Sequence, residues 1–285
     1  MTETVNQNTR LKVDNTEPRR DATYRTVGLA SRSRSAASDG VWPGIEALRR
    51  SLAASLAPLA QALWPARCLL CGDPGQDHRD LCAACDRQLP WSGTACHRCA
   101  LPLPAAVEGG PACCTLCEHE PPPVGSTRAA FAYAPPLDRL LPRLKFHGDL
   151  AAGRLVARLM AEAFADLPLP DALVPVPLHP RRLRERGYNQ AREIAGPLAR
   201  MLDVPLRDGL LRRVRHTRPQ STLDADARQS NLEDAFAVTG RGRLPAHVVL
   251  VDDVMTTGAT LQAAAWALRE AGVHRVDAWV CARAL

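Results

Sequence analysis

Three groups of residues carry chemistry by type and spacing. The first lies in His247–Thr260, which reads HVVLVDDVMTTGAT. Val248–Val251 is a short, β-branched apolar run and is predicted to be a strand buried on both faces. Asp252 and Asp253 follow, then a small-residue loop of Met255, Thr256, Thr257, Gly258, Ala259 and Thr260. A helix is predicted over Leu261–Ala271, ending at Gly272. A helix N-terminus presents free N–H groups and the positive end of the dipole, so an anion suits it, phosphate above all. Gly258 allows close backbone approach, and the threonine hydroxyls add donors. Two carboxylates repel a bare phosphate. They make sense if the ligand also brings hydroxyls, or if a divalent cation bridges the groups. A sugar phosphate with free ribose hydroxyls satisfies both conditions.

The second group is cysteine. Of ten cysteines, eight form four C-x-x-C pairs: Cys68 with Cys71, Cys82 with Cys85, Cys96 with Cys99, and Cys114 with Cys117. Four thiolates around Zn²⁺ make a closed, structural site, and two in tandem would fold a segment that has almost no aliphatic core of its own. Gly72, directly after the first pair, suits the tight turn of a zinc knuckle. Cys113 could replace Cys114, but Cys114 keeps the two-residue spacing to Cys117. A disulfide framework typically belongs to a short secreted chain, and a redox C-x-x-C to a βαβ context. A zinc-bearing protein of a reducing cytosol fits better. Cys281 is expected to be a buried apolar residue.

The third group is arginine. Arg181, Arg182, Arg184 and Arg186 precede Gly187 in PVPLHPRRLRERGYNQ, Pro175–Gln190. The cluster falls just beyond a predicted strand end, where an arginine fork matches phosphate oxygens. A further polar stretch, Leu211–Phe236, contains Arg213, Arg215, Gln220, Arg228 and Asn231 and reads as a mobile lid. The net charge of +6 permits an anionic partner without demanding one, and lysine occurs only at Lys12 and Lys145.

Residues 1–41 are polar and are expected to be a disordered extension. Residues 42–66 contain an amphipathic helical pattern from Ile45 to Leu63, interrupted by Pro58 and too short and too charged to span a bilayer comfortably. A double zinc ribbon is expected over 67–120 and an α/β domain over 127–285. Strands are predicted at Ala129–Ala134, Leu173–Val176, Val248–Val251 and Val276–Val280. Helices are predicted at Leu137–Phe146, Leu150–Ala165 and Ala191–Leu202. Alternating strands and helices imply a mainly parallel sheet, whose ligands bind beyond the strands' carboxyl ends.

The DD–TTGAT stretch resembles the phosphoribosyl pyrophosphate (PRPP) signature of type I phosphoribosyltransferases. Together with CLLCG, LCAACDRQLP, CHRCALPL, LKFHGD and RVRHTRPQSTLDADARQSN, it makes the chain similar to the ComF family over Cys68–Leu285. The resemblance implies a double zinc ribbon followed by a phosphoribosyltransferase-like domain, with a role in DNA uptake during natural transformation or in nucleotide metabolism. It further implies that Asp252, Asp253 and Met255–Thr260 hold the phosphoribosyl group with Mg²⁺, and that Arg181, Arg182, Arg186 and Gly187 hold the pyrophosphate. No residue is marked as catalytic, and no acceptor pocket declares itself. The alternative expectation is a zinc-dependent module for single-stranded nucleic acid. The protein is expected in the cytoplasm, peripheral to the inner membrane only through DNA-uptake partners.

Overall fold

The computed structural model describes residues 65–104, 112–214, 235–239 and 242–284. The N-terminal extension, the Ile45–Leu63 pattern and most of the lid stretch lie outside them. No helix among the described residues is long and apolar enough to cross a membrane.

The chain first forms two cysteine-rich lobes, each with one short helix, α1 (Ala83–Arg87) and α2 (Thr115–His119). It then alternates through β1 (Thr127–Ala132), α3 (Leu137–Phe146), α4 (Leu150–Ala163), β2 (Ala172–Pro175), α5 (Pro180–Arg186) and α6 (Gln190–Leu202). A small antiparallel pair, β3 (Leu211–Arg213) and β4 (Phe236–Val238), brackets the lid stretch. β5 (His247–Met255), α7 (Ala259–Glu270) and β6 (Arg275–Arg283) complete the chain.

The main sheet is parallel, in the order β1-β6-β5-β2. Helices α3, α4 and α6 cover one face, burying Leu140, Leu141, Leu144, Leu159, Ile194 and Leu198 against Val249, Val251, Trp279 and Cys281. Helix α7 and the β3–β4 pair cover the other, over Val248, Leu250, Ala278 and Val280. Both faces are dry, which explains the unbroken apolar runs of β5 and β6. Pro175 ends β2, where its missing N–H costs no mid-ladder bond.

Two boundaries differ from expectation in ways that bear on the site. β5 continues past Val251 to Met255 and carries both aspartates, with Asp252 in register with Val280 and Val254 with Ala282 of β6. Helix α7 begins at Ala259, so Ala259 and Thr260 belong to its first turn and not to the loop.

The cysteine lobes borrow their core. Leu81 and Leu89 join the large cluster beneath α3 and α4. Ser92 donates to Ala130 O, Ala132 to Pro90 O and Thr127 to His97 O, so this segment runs along the otherwise free edge of β1. Trp91 packs on Phe131 with ring centroids 4.5 Å apart.

Candidate functional site

Alternation along β5 sets Asp253 on the face of Val249 and Val251, and Asp252 on the face of Val248 and Leu250. Each acid uses one oxygen locally: Asp253 N donates to Asp252 Oδ1 (2.9 Å) and Val254 N to Asp253 Oδ1 (2.8 Å). The second Asp253 oxygen meets Lys145 Nζ of α3 at 2.9 Å, an ion pair in which the carboxylate side chain is 5% exposed. On the opposite face the partner charge is Arg213 of β3, which feels both Asp252 and Arg182. Burial, and then the neighbouring Asp253 charge, push the Asp252 carboxyl well above the usual carboxylate range, against a smaller pull from Lys145. Such a carboxyl gains by exchanging its proton for a cation or for a donated hydroxyl.

Immediately beyond, Thr256 and Thr257 are exposed and Gly258 is buried, with φ +82° at the N-cap of α7. The φ of +82° is what calls for glycine here; a Cβ would also sit 2.5 Å from Met255 Cε, the movable end of that side chain. Ala259 N donates to Thr257 Oγ1 at 3.4 Å, and the next N–H groups of the first turn of α7, which have no partner within the helix, start beside the acids, an arrangement that suits an anion such as phosphate.

The arginine cluster forms α5, with Gly187 as its left-handed cap (φ +84°). Three of its arginines divide by role. Arg182 and Arg186 line an open cleft of about 560 Å³, together with Lys145, Phe146, His147 and Tyr188. Arg181 does not line the cleft but pairs at 3.0 Å with Glu185, which does. Arg186 also donates to Gln190 Oε1 and stacks over the Phe146 ring at 5.7 Å. Of the expected lid residues, Arg213 is stacked over Phe236 at 5.5 Å, within range of the Asp252 charge; Arg215, Gln220, Arg228 and Asn231 lie outside the described residues.

Lys145 is the site residue that motif reading missed. Its signal was in plain view: it is one of only two lysines in an arginine-rich chain, inside LKFHGD.

Two further clusters could hold metal. The sulfurs of Cys68, Cys71, Cys82 and Cys85 lie within 4.8 Å of one another, as do those of Cys96, Cys99, Cys114 and Cys117. Zinc–sulfur bonds of about 2.3 Å place tetrahedral sulfurs about 3.8 Å apart. The Cys71–Cys82 and Cys99–Cys114 pairs, at 3.6 and 3.7 Å, fit that edge. Cys113 stands outside this tetrahedron, 4.0 Å from Cys96. Burial opposes ionisation of Cys68, but N–H groups of Cys82, Cys71 and Leu70 outweigh it and bring the thiol down to about 6. Cys96 is held at about 6 in the same way by Cys114, Cys99 and Arg98. Gly72 (φ +85°) and Ala100 (φ +55°) fill equivalent knuckle positions, each donating to the first cysteine's carbonyl at 2.8 Å.

The lobes are tied to the β5 site. Arg143 of α3 donates to Leu69 O in the first knuckle and pairs with Asp149 at 2.7 Å. Arg283 of β6 donates to Cys99 O (3.1 Å) and to Met255 O (3.3 Å), joining the second knuckle to the end of β5.

Comparison with known proteins agrees with this division. The double zinc ribbon domain family matches residues 59–118, and the phosphoribosyl transferase domain family matches residues 189–284. Competence protein F of Haemophilus influenzae is 35% identical over 227 residues, covering 76% of this chain and 97% of that protein. DNA utilization protein YhgH of Escherichia coli K12 is 36% identical over 232 residues, covering 78% and 98%. Competence protein ComFC of Bacillus subtilis is 30% identical over 148 residues, covering 51% and 58%.

Proposed function

The chain belongs to the ComF family of competence proteins, a phosphoribosyltransferase-type domain carrying a double zinc ribbon, and from that premise we propose that its β5–α7 site binds PRPP with Mg²⁺. The observation that carries the reading is the continuity of Asp252 and Asp253 with the Gly258-capped start of α7. Acids for ribose hydroxyls or a cation stand next to N–H donors for a phosphate, at the carboxyl end of a parallel strand. The hard oxygens of Asp252 and Asp253 suit Mg²⁺, which would neutralise the pyrophosphate charge when bound. Thr256, Thr257, Gly258, Ala259 and Thr260 would cradle the 5′-phosphate beside Met255. Arg182 and Arg186, with Gly187, would face the pyrophosphate, and Arg181 would reach it only by leaving Glu185.

PRPP binding is the activity proposed; transfer would require an acceptor as well. The relatives' names, a competence protein and a DNA utilization protein, support a cellular role in DNA uptake or utilisation, for which single-stranded DNA and other uptake proteins are the partners we propose. The structural zinc holds the ribbon that closes the domain.

The test is calorimetric titration of PRPP with Mg²⁺ into the wild type and into Asp252→Asn/Asp253→Asn. Binding to the wild type that is lost in the double variant supports the site. Equal binding to both, or none to either, removes it and turns attention to single-stranded DNA on the exposed arginines of α5. That reading requires a steep salt dependence.

A further inference from the structure

We propose that Phe146 is a stacking platform for a nucleobase, held next to the pyrophosphate end of the PRPP site. The inference extends the PRPP reading by giving the site a second ligand class.

Phe146 is the last residue of α3 and is 72% exposed, in a chain with only four phenylalanines. The other apolar residues of α3 follow the core: Leu137, Leu140, Leu141 and Leu144 are completely buried. Phe146 therefore contributes little to packing, and its ring forms part of the wall of the cleft instead.

The surroundings select the ligand. Arg186 stacks over the ring at 5.7 Å, holding the phenyl group against the end of α5. Tyr188 fixes the same wall from below: its hydroxyl donates to Leu144 O and accepts from Gly148 N at 3.2 Å. The platform is thus fixed at both ends of the turn that follows α3, although the ring itself stays open to solvent. The cleft, about 560 Å³, has the volume of a small-ligand site. Its charge is mainly cationic, since Arg182, Arg186 and Lys145 line it against one acid, Glu185, which is paired with Arg181, and Lys145 bridges it directly to Asp253. An apolar ligand would leave those charges unanswered, and a simple anion would leave the aromatic face unused. A flat, π-stacking heterocycle with phosphate alongside satisfies both. Stacking tolerates any base, so the platform sets the class and not the identity.

The base could be free, as an acceptor beside PRPP, or part of a single strand. Both sources share one chemistry, and one experiment separates them. The probe is 2-aminopurine, whose fluorescence falls on stacking. It is titrated into the full-length wild type, Phe146→Ala and Phe146→Trp, as the free base and within a short single-stranded oligonucleotide, each with and without PRPP and Mg²⁺. Binding of PRPP is measured in parallel by calorimetry on the wild type and Phe146→Ala.

The wild type is expected to quench the probe, Phe146→Ala to weaken binding by about tenfold or more, and Phe146→Trp to retain it. Since Phe146 is exposed, Phe146→Ala should keep its thermal midpoint, and the parallel PRPP titration reads any change passed on through Arg186, which stacks on the ring. Quenching of the free base that requires PRPP assigns an acceptor site, and quenching of the oligonucleotide alone assigns a strand-binding site. Equal affinity of Phe146→Ala and wild type, or no quenching of either probe, overturns the proposal. If Phe146-dependent quenching persists where PRPP fails to bind, the platform stands and the PRPP reading falls.

Discussion

The Lys145–Asp253 pair makes a sharp, quantitative prediction. Replacing Lys145 with methionine keeps the length of the side chain and removes its charge, leaving a carboxylate that is 5% exposed without its counter-ion. Breaking a buried pair from one side costs about 3–5 kcal/mol. Here the lysine is 24% exposed, which allows some solvent to replace it, so the low end of about 3 kcal/mol applies. For a domain of this size each kcal/mol moves the melting midpoint by about 2–4 °C, so Lys145→Met should melt about 6–12 °C below wild type at pH 8. The acidic pair can relieve the charge only by binding a proton. Burial and Asp253 already push the Asp252 carboxyl upward. The folded variant should therefore hold more protons than its unfolded chain, and its stability should fall as pH rises. The deficit should shrink toward pH 5, and Lys145→Met/Asp253→Asn should recover most of it. Differential scanning fluorimetry across pH on the four members of the cycle tests this. A deficit that is the same at pH 5 and pH 8, or a double variant no better than Lys145→Met, would refute the electrostatic account.

Asp149 caps α4 through Ala151 N (3.0 Å) and Ala152 N (3.1 Å) and pairs with Arg143. Burial opposes its ionisation, but the Ala152 N–H and the Arg143 guanidinium outweigh it and hold the carboxyl below the usual range. Asp149→Ala should cost about 1–2 kcal/mol at pH 7 in denaturant titration. Because a lowered carboxyl stabilises above its unfolded value and loses that contribution as pH falls through the folded one, the difference should fade in acid. Gly258→Ala forces an L-residue to φ +82° against Met255, so about 1–2 kcal/mol of strain and a loss of PRPP binding are expected by melting and calorimetry. Elemental analysis should find two zinc ions per chain, and Cys82→Ser or Cys114→Ser should each lower that count, whereas Cys113→Ser should not. The apparent PRPP affinity should rise with pH while the Asp252 carboxyl, held above the ordinary range by burial and Asp253, gives up its proton; titrations in buffers of different ionisation enthalpy would reveal that proton.

Much of the architecture is legible in local sequence because local forces set it. β-branched runs bounded by Gly and Pro form the strands, and the apolar period of α4 and α6 fixes the helices that cover them. The C-x-x-C spacing likewise foretells the two sulfur clusters, since four thiolates within reach of one another need only two tight turns each. The differences arise where tertiary contacts override composition. Two adjacent acids look like the end of a strand, yet β6 supplies partners for Asp252 and Val254, and the ladder runs on to Met255. The threonine-glycine loop looks longer than it is because only the fold puts Gly258 in the left-handed conformation that starts α7. Lys145 meets Asp253 across more than a hundred residues of chain, a distance no motif can encode. Arg181 has the same residue type as Arg182 and Arg186; helix phase alone sends it to Glu185.

The zinc ribbon's place on β1 has a consequence for how the protein survives in a cell. A parallel sheet ending in a bare strand offers a row of unpaired N–H and C=O groups to any other chain. Pro90, Ser92 and His97 occupy that row, and they stand between the two cysteine clusters, so thiolate ligation fixes the segment at both ends. Zinc held by these cysteines would therefore also guard the sheet edge: a chain stripped of zinc is expected to present β1 to other chains. Zinc supply would then govern how much of the protein stays dispersed, independently of any ligand at the β5 site.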